Sequence, residues 1–270
     1  MKKFFCTVLI IFLFVTCSFA EEKSKVGVLA QLNMTEEDYR DFVLKGREDV
    51  GWHFLSNEDE TFHYYDSLLE MQLALNAGEI NEVQLPEIVG EYFVNSNPSA
   101  YKVTCVTQVR TTYLAFGFLK SNEELRKKIN DALAALREEG KLEQFRLNYI
   151  ENMKNFEHVK FEKFADAPTI KIALTGDLPP IDFIDPDGTP AGFNVAILAE
   201  IGKKLKINIE LSSIDAGARS SALASRRADA VFWYKGTKDV EIQPDIPDGV
   251  ILSEPYYEWS KFIHIKKAKN

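Results

Sequence analysis

The chain has 270 residues, 46% hydrophobic and 27% charged, a balance that excludes a disordered or collagen-like polymer and supplies apolar material for one large or two modest cores. Its formal net charge of -9, with no relieving basic cluster, excludes strong attraction to nucleic-acid phosphates and makes an anionic membrane surface a poor partner.

The chain opens with a secretory leader. Lys2 and Lys3 precede a nearly unbroken apolar run from Phe4 to Val15, and Ser18-Phe19-Ala20 presents the small residues of a cleavage site, so residues 1–20 are expected to be removed. Cys17 offers a rival route, lipid attachment, although Thr16 is not the small residue that route prefers. The apolar run is shorter than the roughly 20 residues that span hydrocarbon. Cys6 and Cys17 leave with the leader, and Cys105, unable to form an intramolecular disulfide alone, is expected to be a small buried hydrophobe.

Lys25 to Ala30 reads as a short buried strand, after which Asn33 or Thr35 offers an oxygen to cap a helix opening at Glu36-Glu37-Asp38. Ser67 and Glu70 have capping-box spacing ahead of a helix whose apolar side carries Leu68, Met71 and Leu75, stopped by Gly78. Ile80 to Leu85 reads as a strand, and Pro86 opens a helix from Glu87 to Val94. Ser121 and Glu124 repeat the capping pattern before the helical stripe Leu125, Ile129, Ala132, Leu133, Leu136, ended by Gly140. Residues 151–168 form a charged connector lacking periodicity.

Beyond it the chain alternates: strand Thr169 to Leu174, helix Phe193 to Leu205, strand Ile207 to Leu211, short helix Arg219 to Ser225, strand Ala228 to Trp233. Such alternation predicts an α/β fold with parallel sheet and flanking helices. Asp185-Pro186-Asp187-Gly188 has turn chemistry; a calcium loop would need a distal Glu that is missing.

Thr175-Gly176-Asp177-Leu178-Pro179-Pro180-Ile181-Asp182-Phe183, followed by Gly192-Phe193-Asn194-Val195, resembles the opening of the amino-acid-type extracellular solute-binding proteins, with their Pro-Pro-aromatic turn and Gly-Phe-Asp-Val. Arg227-Ala228-Asp229-Ala230-Val231 and Ser253-Glu254-Pro255-Tyr256-Tyr257 resemble later segments of the same family. The resemblance covers one lobe, residues 169–267, of the family's two. Residues 26–108 resemble the family's second lobe, and 109–150 the returning strand and helices that complete lobe one. The lobes thus stand in reversed order, and a circular permutant is expected, its new ends at the hinge. The resemblance implies a two-lobed, periplasmic-binding-protein-like fold of mixed and parallel sheets with a ligand cleft between lobes.

By the same resemblance, the protein captures a small polar solute, an amino acid or related carboxylate, by hinge closure and delivers it to an ABC transporter permease; a sensor receptor is the alternative destination. It would work as a monomer in the periplasm or outside the cell, without a cofactor. Gln31, Asn33 and Thr35 stand at a helix start that favours an anion, unless Thr35 merely caps its helix. Arg219, just after the loop Asp215-Ala216-Gly217-Ala218 that in the family faces the cleft, would clamp a carboxylate, with a solvated surface Arg as the alternative; Trp233 and Tyr234 would stack on the solute, or Trp233 pack in the core. Asp177 and Leu178 occupy the cleft-facing turn, Leu178 where the family has an aromatic, and Glu87 would meet an amine. The family's Thr-x-x-Arg carboxylate site is absent from Lys235 to Asp239, and Arg219 is expected to replace the missing Arg. A dehydratase-like enzyme on the same scaffold would recruit Asp177, Asp182 or Glu87, but no catalytic motif is present, and His53, His63, His158 and His264 have no ligand-like spacing.

Overall fold

The computed structural model describes residues 23–29, 60–153, 159–238 and 246–268, with single positions 37, 40, 41 and 45 besides. The leader, Gln31, Asn33 and Thr35 lie outside the described residues. Among the described residues, no helix is long and apolar enough to cross a membrane.

Nine strands form one mixed sheet: β1 (Ser24–Leu29), β2 (Glu60–Tyr65), β3 (Glu82–Pro86), β4 (Tyr101–Leu119), β5 (Thr169–Leu174), β9 (Asn208–Ser213), β10 (Ala230–Thr237), β11 (Val250–Leu252) and β12 (Tyr257–Lys267). The short strands β6 (Asp177–Leu178), β7 (Asp182–Ile184) and β8 (Pro190–Ala191) make a separate three-stranded meander. The large sheet consists of two halves with one plan. In one, β1 pairs parallel with β2 and β3, and β12 and then β4 follow antiparallel. In the other, β5 pairs parallel with β9 and β10, and β4 and then β11 follow antiparallel. These halves are the two lobes, and β4 and β12 run through both.

β4 is the element that sequence reading divided. A boundary at 108/109 is expected, yet one strand of 19 residues passes straight across it. At about 3.3 Å per residue it extends roughly 60 Å, enough to serve two half-sheets. Its run of Val103, Thr104, Val106, Thr107, Val109, Thr111 and Thr112 favours extended backbone, with no proline to interrupt it. The apolar alternation is lost because the first part is largely exposed and Leu114 to Phe118 are fully covered.

Helices cover the sheet: α1 (Leu68–Ala77), α2 (Glu87–Ser96), α3 (Glu123–Glu138), α4 (Lys141–Phe145), α5 (Phe193–Leu205) and α6 (Arg219–Ala224), with a π-helical turn at Arg146–Glu151. Ser67 Oγ accepts from the Glu70 N–H at 3.1 Å, and Gly78 closes α1 at φ 81°, as its spacing predicts. The expected Ser121 cap does not form. Lys120–Asn122 make a 3-10 turn instead, and the Asn122 amide donates to the Asp229 carbonyl at 3.2 Å, tying helix start to sheet. α3 buries Ile129, Ala132, Leu133 and Leu136, worth roughly 6 kcal/mol for three large apolar side chains and one small.

Segment 120–150 packs on the lobe that follows it. α3 and α4 contact α5; Lys204 Nζ meets Glu139 at 2.5 Å, and Lys141 pairs with Glu200. One contiguous core runs through both lobes, with Met71, Leu85 and Ile88 at one end and Phe116, Phe193 and Phe232 at the other. The Phe116 ring lies 5.0 Å from those of both Phe232 and Tyr256. Cys105 is half-buried, contrary to expectation, because it lies in the first part of β4, most of whose residues are exposed. The connector is pinned by Asn208, whose side chain bonds Phe164 N–H (2.9 Å) and O (3.0 Å) and Ala167 O (3.2 Å).

Ser24 begins β1 and Lys267 ends β12 on either side of β3, at the outer end of one half-sheet. The expectation that these ends sit at the hinge is not met. β1 runs toward the cleft from that outer end, and antiparallel β12 returns to it.

Candidate functional site

In open α/β sheets the carboxyl ends of parallel strands leave backbone groups and loops facing one crevice. Here β2 ends at Asp66-Ser67 and leads into α1; across from it, β5 ends at Thr175 to Asp177 and β9 at Ser213 to Ala218. These segments, with Glu70 and Ser221, line a cavity of about 760 Å³. One wall belongs to each lobe.

The walls are held locally. The Ile214 N–H donates to Leu174 O at 2.9 Å and Ser213 Oγ to Thr175 O at 3.2 Å, so the β5 and β9 loops move together. Asp215 O accepts from Ala218 N–H at 2.9 Å, which turns 215–218 toward α6. Asp177 stands where β6 packs against α1 of the other lobe. Burial pushes its carboxyl up; the nearby Thr175 hydroxyl, the backbone N–H groups of Leu68 and Asp177 itself, and the Arg219 charge pull the other way without overcoming it.

Beneath this turn Asp182 is wholly buried. It accepts from Gly176 N–H at 3.0 Å, from Asn194 Nδ2 at 3.0 Å and from Thr175 Oγ1 at 3.4 Å. Burial pushes its carboxyl up to about 6, and neighbouring Asp177 adds to the rise. Asn194, which stands where the Gly-Phe-Asp-Val pattern carries an acid, leaves its Oδ1 buried without a partner.

The sequence-derived candidates divide. Asp177 lines the cavity, as does the loop Asp215 to Ala218. Arg219 does not line it: the side chain is buried, and Nε donates to Ala216 O at 3.0 Å, bracing that loop from behind. This also removes the solvated alternative. Leu178 is buried in the core instead of facing the cavity. Glu87 does meet an amine, but that of Lys261 on β12, at 2.9 Å, outside the cavity. Trp233 and Tyr234 lie in β10, where the pairing with β4 is irregular between Val231 and Tyr234. Sequence reading missed Asp66 and Glu70 as cavity residues. The turn between β2 and α1 was invisible because β2, Glu-Thr-Phe-His-Tyr-Tyr, is half-buried throughout and shows no alternation.

A second polar cluster lies inside one lobe. His264 Nδ1 meets Glu82, its Nε2 lies 3.2 Å from Thr107 Oγ1, and Lys266 Nζ is 3.0 Å from the other Glu82 oxygen. Burial alone would raise the Glu82 carboxyl, but the hydrogen bonds and charges of His264 and Lys266 win and hold it low. Glu60, Glu82 and His264 have ligand atoms within 4.8 Å of one another, close enough for a cation. The Lys266 ammonium already balances that charge. Thr107 is fully buried, which denies it to any substrate; the cluster pins β3, β12 and β4 together.

Residues 170–270 match the model of the bacterial extracellular solute-binding proteins, family 3. The resemblance drawn from the turn and hairpin motifs is therefore shown over that segment. No curated protein matches the chain. Among solved structures, the chain is similar to a zinc-bound ligand-binding component of an ABC-type import system from Staphylococcus aureus, at 10% identity and TM-score 0.47, covering 91% of this chain and 66% of that one. It is also similar to the periplasmic aliphatic sulphonate binding protein of Escherichia coli (9% identity, TM-score 0.41, 91% and 65% covered). A third is a putative L-cystine ABC transporter from Listeria monocytogenes (12%, TM-score 0.41, 92% and 84%). The chain spans slightly less than two thirds of the length of the first two.

Proposed function

We propose that this protein is an extracytoplasmic solute-binding protein that captures a small polar solute between its lobes by hinge closure and presents it to an ABC importer. The observation that carries this reading is the cavity of about 760 Å³ walled by the carboxyl ends of strands from both half-sheets, in a chain whose residues 170–270 match a solute-binding family. A cavity of that size suits a small organic molecule, and closure strengthens each polar contact by removing water from it. A sensor receptor that reads the closed form is served by the same device.

The circular permutation belongs to this reading. It is supported by the common plan of the two half-sheets, each completed by a strand arriving from the other lobe. Export by a cleaved leader, or anchoring through Cys17, is the route it requires. Binding without turnover is favoured over dehydratase chemistry because Asp182 is sealed from the cavity and Glu87 is held by Lys261, leaving Asp177 alone of the three proposed acids on the cavity wall.

Native mass spectrometry of protein purified without refolding should find a stoichiometric small molecule, and its removal should expand the protein in solution scattering. Identical scattering profiles with and without the co-purified molecule would overturn hinge-closure capture.

A further inference from the structure

We infer that the cleft selects a solute presenting an amine or guanidinium cation, and rejects a carboxylate at the wall described here; this rests on reading the cavity as the solute site. Four carboxylates, Asp66, Glu70, Asp177 and Asp215, line the cavity, drawn from both lobes, and no basic side chain accompanies them among the described lining residues. Serine and threonine hydroxyls supply the remaining polar groups.

The decisive contact is at α1. A helix N-terminus is where a bound carboxylate would gain most, through free N–H groups and the helix dipole. That place already faces a carboxylate: Asp177, on the short strand β6 that packs against α1, lines the same cavity as Ser67 and Glu70. A solute carboxylate would have to displace it or lie among four like charges. Arg219, the cation expected to clamp such a group, is buried and bonded to Ala216 O, and its charge acts on Asp177, a carboxylate of the wall itself. A cationic solute instead gains a partner on either wall, and its entry relieves the repulsion that opposes closure.

The occupant is an extended organic cation and not a bare metal ion. Among the described residues, the group of acids and histidines that converges within 4.8 Å is Glu60, Glu82 and His264, none of which lines this cavity. No three of the cleft carboxylates converge in that way, and a chain several carbons long would reach from one wall to the other.

The test pairs two probes of equal length and opposite charge, 1,5-diaminopentane and glutarate, by calorimetry on the full mature protein after removal of any co-purified molecule. The diamine is expected to bind and glutarate not. Glu70→Gln and Asp215→Asn, both changes at exposed side chains that leave Asp177 in place, should each weaken the diamine by about tenfold. Glutarate binding as tightly as the diamine overturns the inference, as does diamine binding unchanged in the double variant, binding of neither probe, or zinc ion alone saturating the same carboxylates. Lobe closure on an anionic co-purified molecule would sink this charge preference while leaving solute capture standing.

Discussion

Asp182 carries a cost at neutral pH that its surroundings do not remove. Its carboxyl titrates at about 6 in the folded protein against 3.8 for the unconstrained side chain, so the folded state holds the proton more tightly. The stabilising contribution of protonation is complete below about pH 4 and is lost as pH rises through about 6, roughly 3 kcal/mol in all. Asp182→Asn should therefore raise the urea midpoint at pH 7.5 and flatten its change between pH 4 and 7 relative to wild type. The side chains allow it: if the Asn194 amide turns over, its unpartnered Oδ1 accepts from the new Nδ2, while Gly176 and Thr175 still donate to the retained oxygen. A midpoint lower than wild type at pH 7.5 would show that the ionised carboxylate is needed. Glu82 has the opposite sign. Held low by His264 and Lys266, it stabilises above its unconstrained value and loses that contribution in acid. His264→Ala strips a buried carboxylate of its closest partner, and should cost about 3 kcal/mol in urea unfolding at pH 7, less in a Glu82→Gln background.

At the level of elements, Gly90 shows packing overruling propensity. It sits in α2, where alanine is ordinarily better by about 1 kcal/mol. A Cβ there would lie 2.3 Å from Ile263 Cγ1 on β12, so helix and strand approach only because the methyl is missing. Gly90→Ala should destabilise by about 1–3 kcal/mol, and Ile263→Ala in the same chain should recover part of the loss, measured by thermal unfolding. The capped helix α1, the proline-led α2 and the striped α3 were all legible, because caps and apolar stripes act within a few residues. β2 and β12 were not. Neither shows the period-two alternation of a strand with one wet face, since β2 is half-buried throughout and β12 changes its burial as it passes from one lobe to the other.

Across the whole molecule, the first and last strands flank β3, so Ser24 and Lys267 are two strand spacings apart, about 10 Å. A flexible linker of about six residues spans that distance. A rearranged chain in which Lys267 is joined to Ser24 and the backbone opened between residues 153 and 159 should fold with a far-ultraviolet dichroism spectrum like the parent's and a similar urea midpoint. The opening falls before Phe164 and Ala167, which Asn208 holds. Failure of that chain to fold would show that strand order is more than a matter of connection.

By itself, the amino-acid sequence determined the α/β alternation, the helices, the Ser67 and Gly78 caps of α1, and the turn motifs at 175–195 that carry the family resemblance, since each depends on neighbours along the chain. Only the tertiary structure decided which polar groups face the cleft. Asp66 and Glu70 come opposite Asp177 and Asp215 because two half-sheets present their strand ends to one another, and Arg219 is buried with its Nε–H donating to the Ala216 carbonyl. His264 meets Glu82 across 182 residues of chain. Charge neighbours of that kind are set by strand register and lobe packing, which no local pattern records.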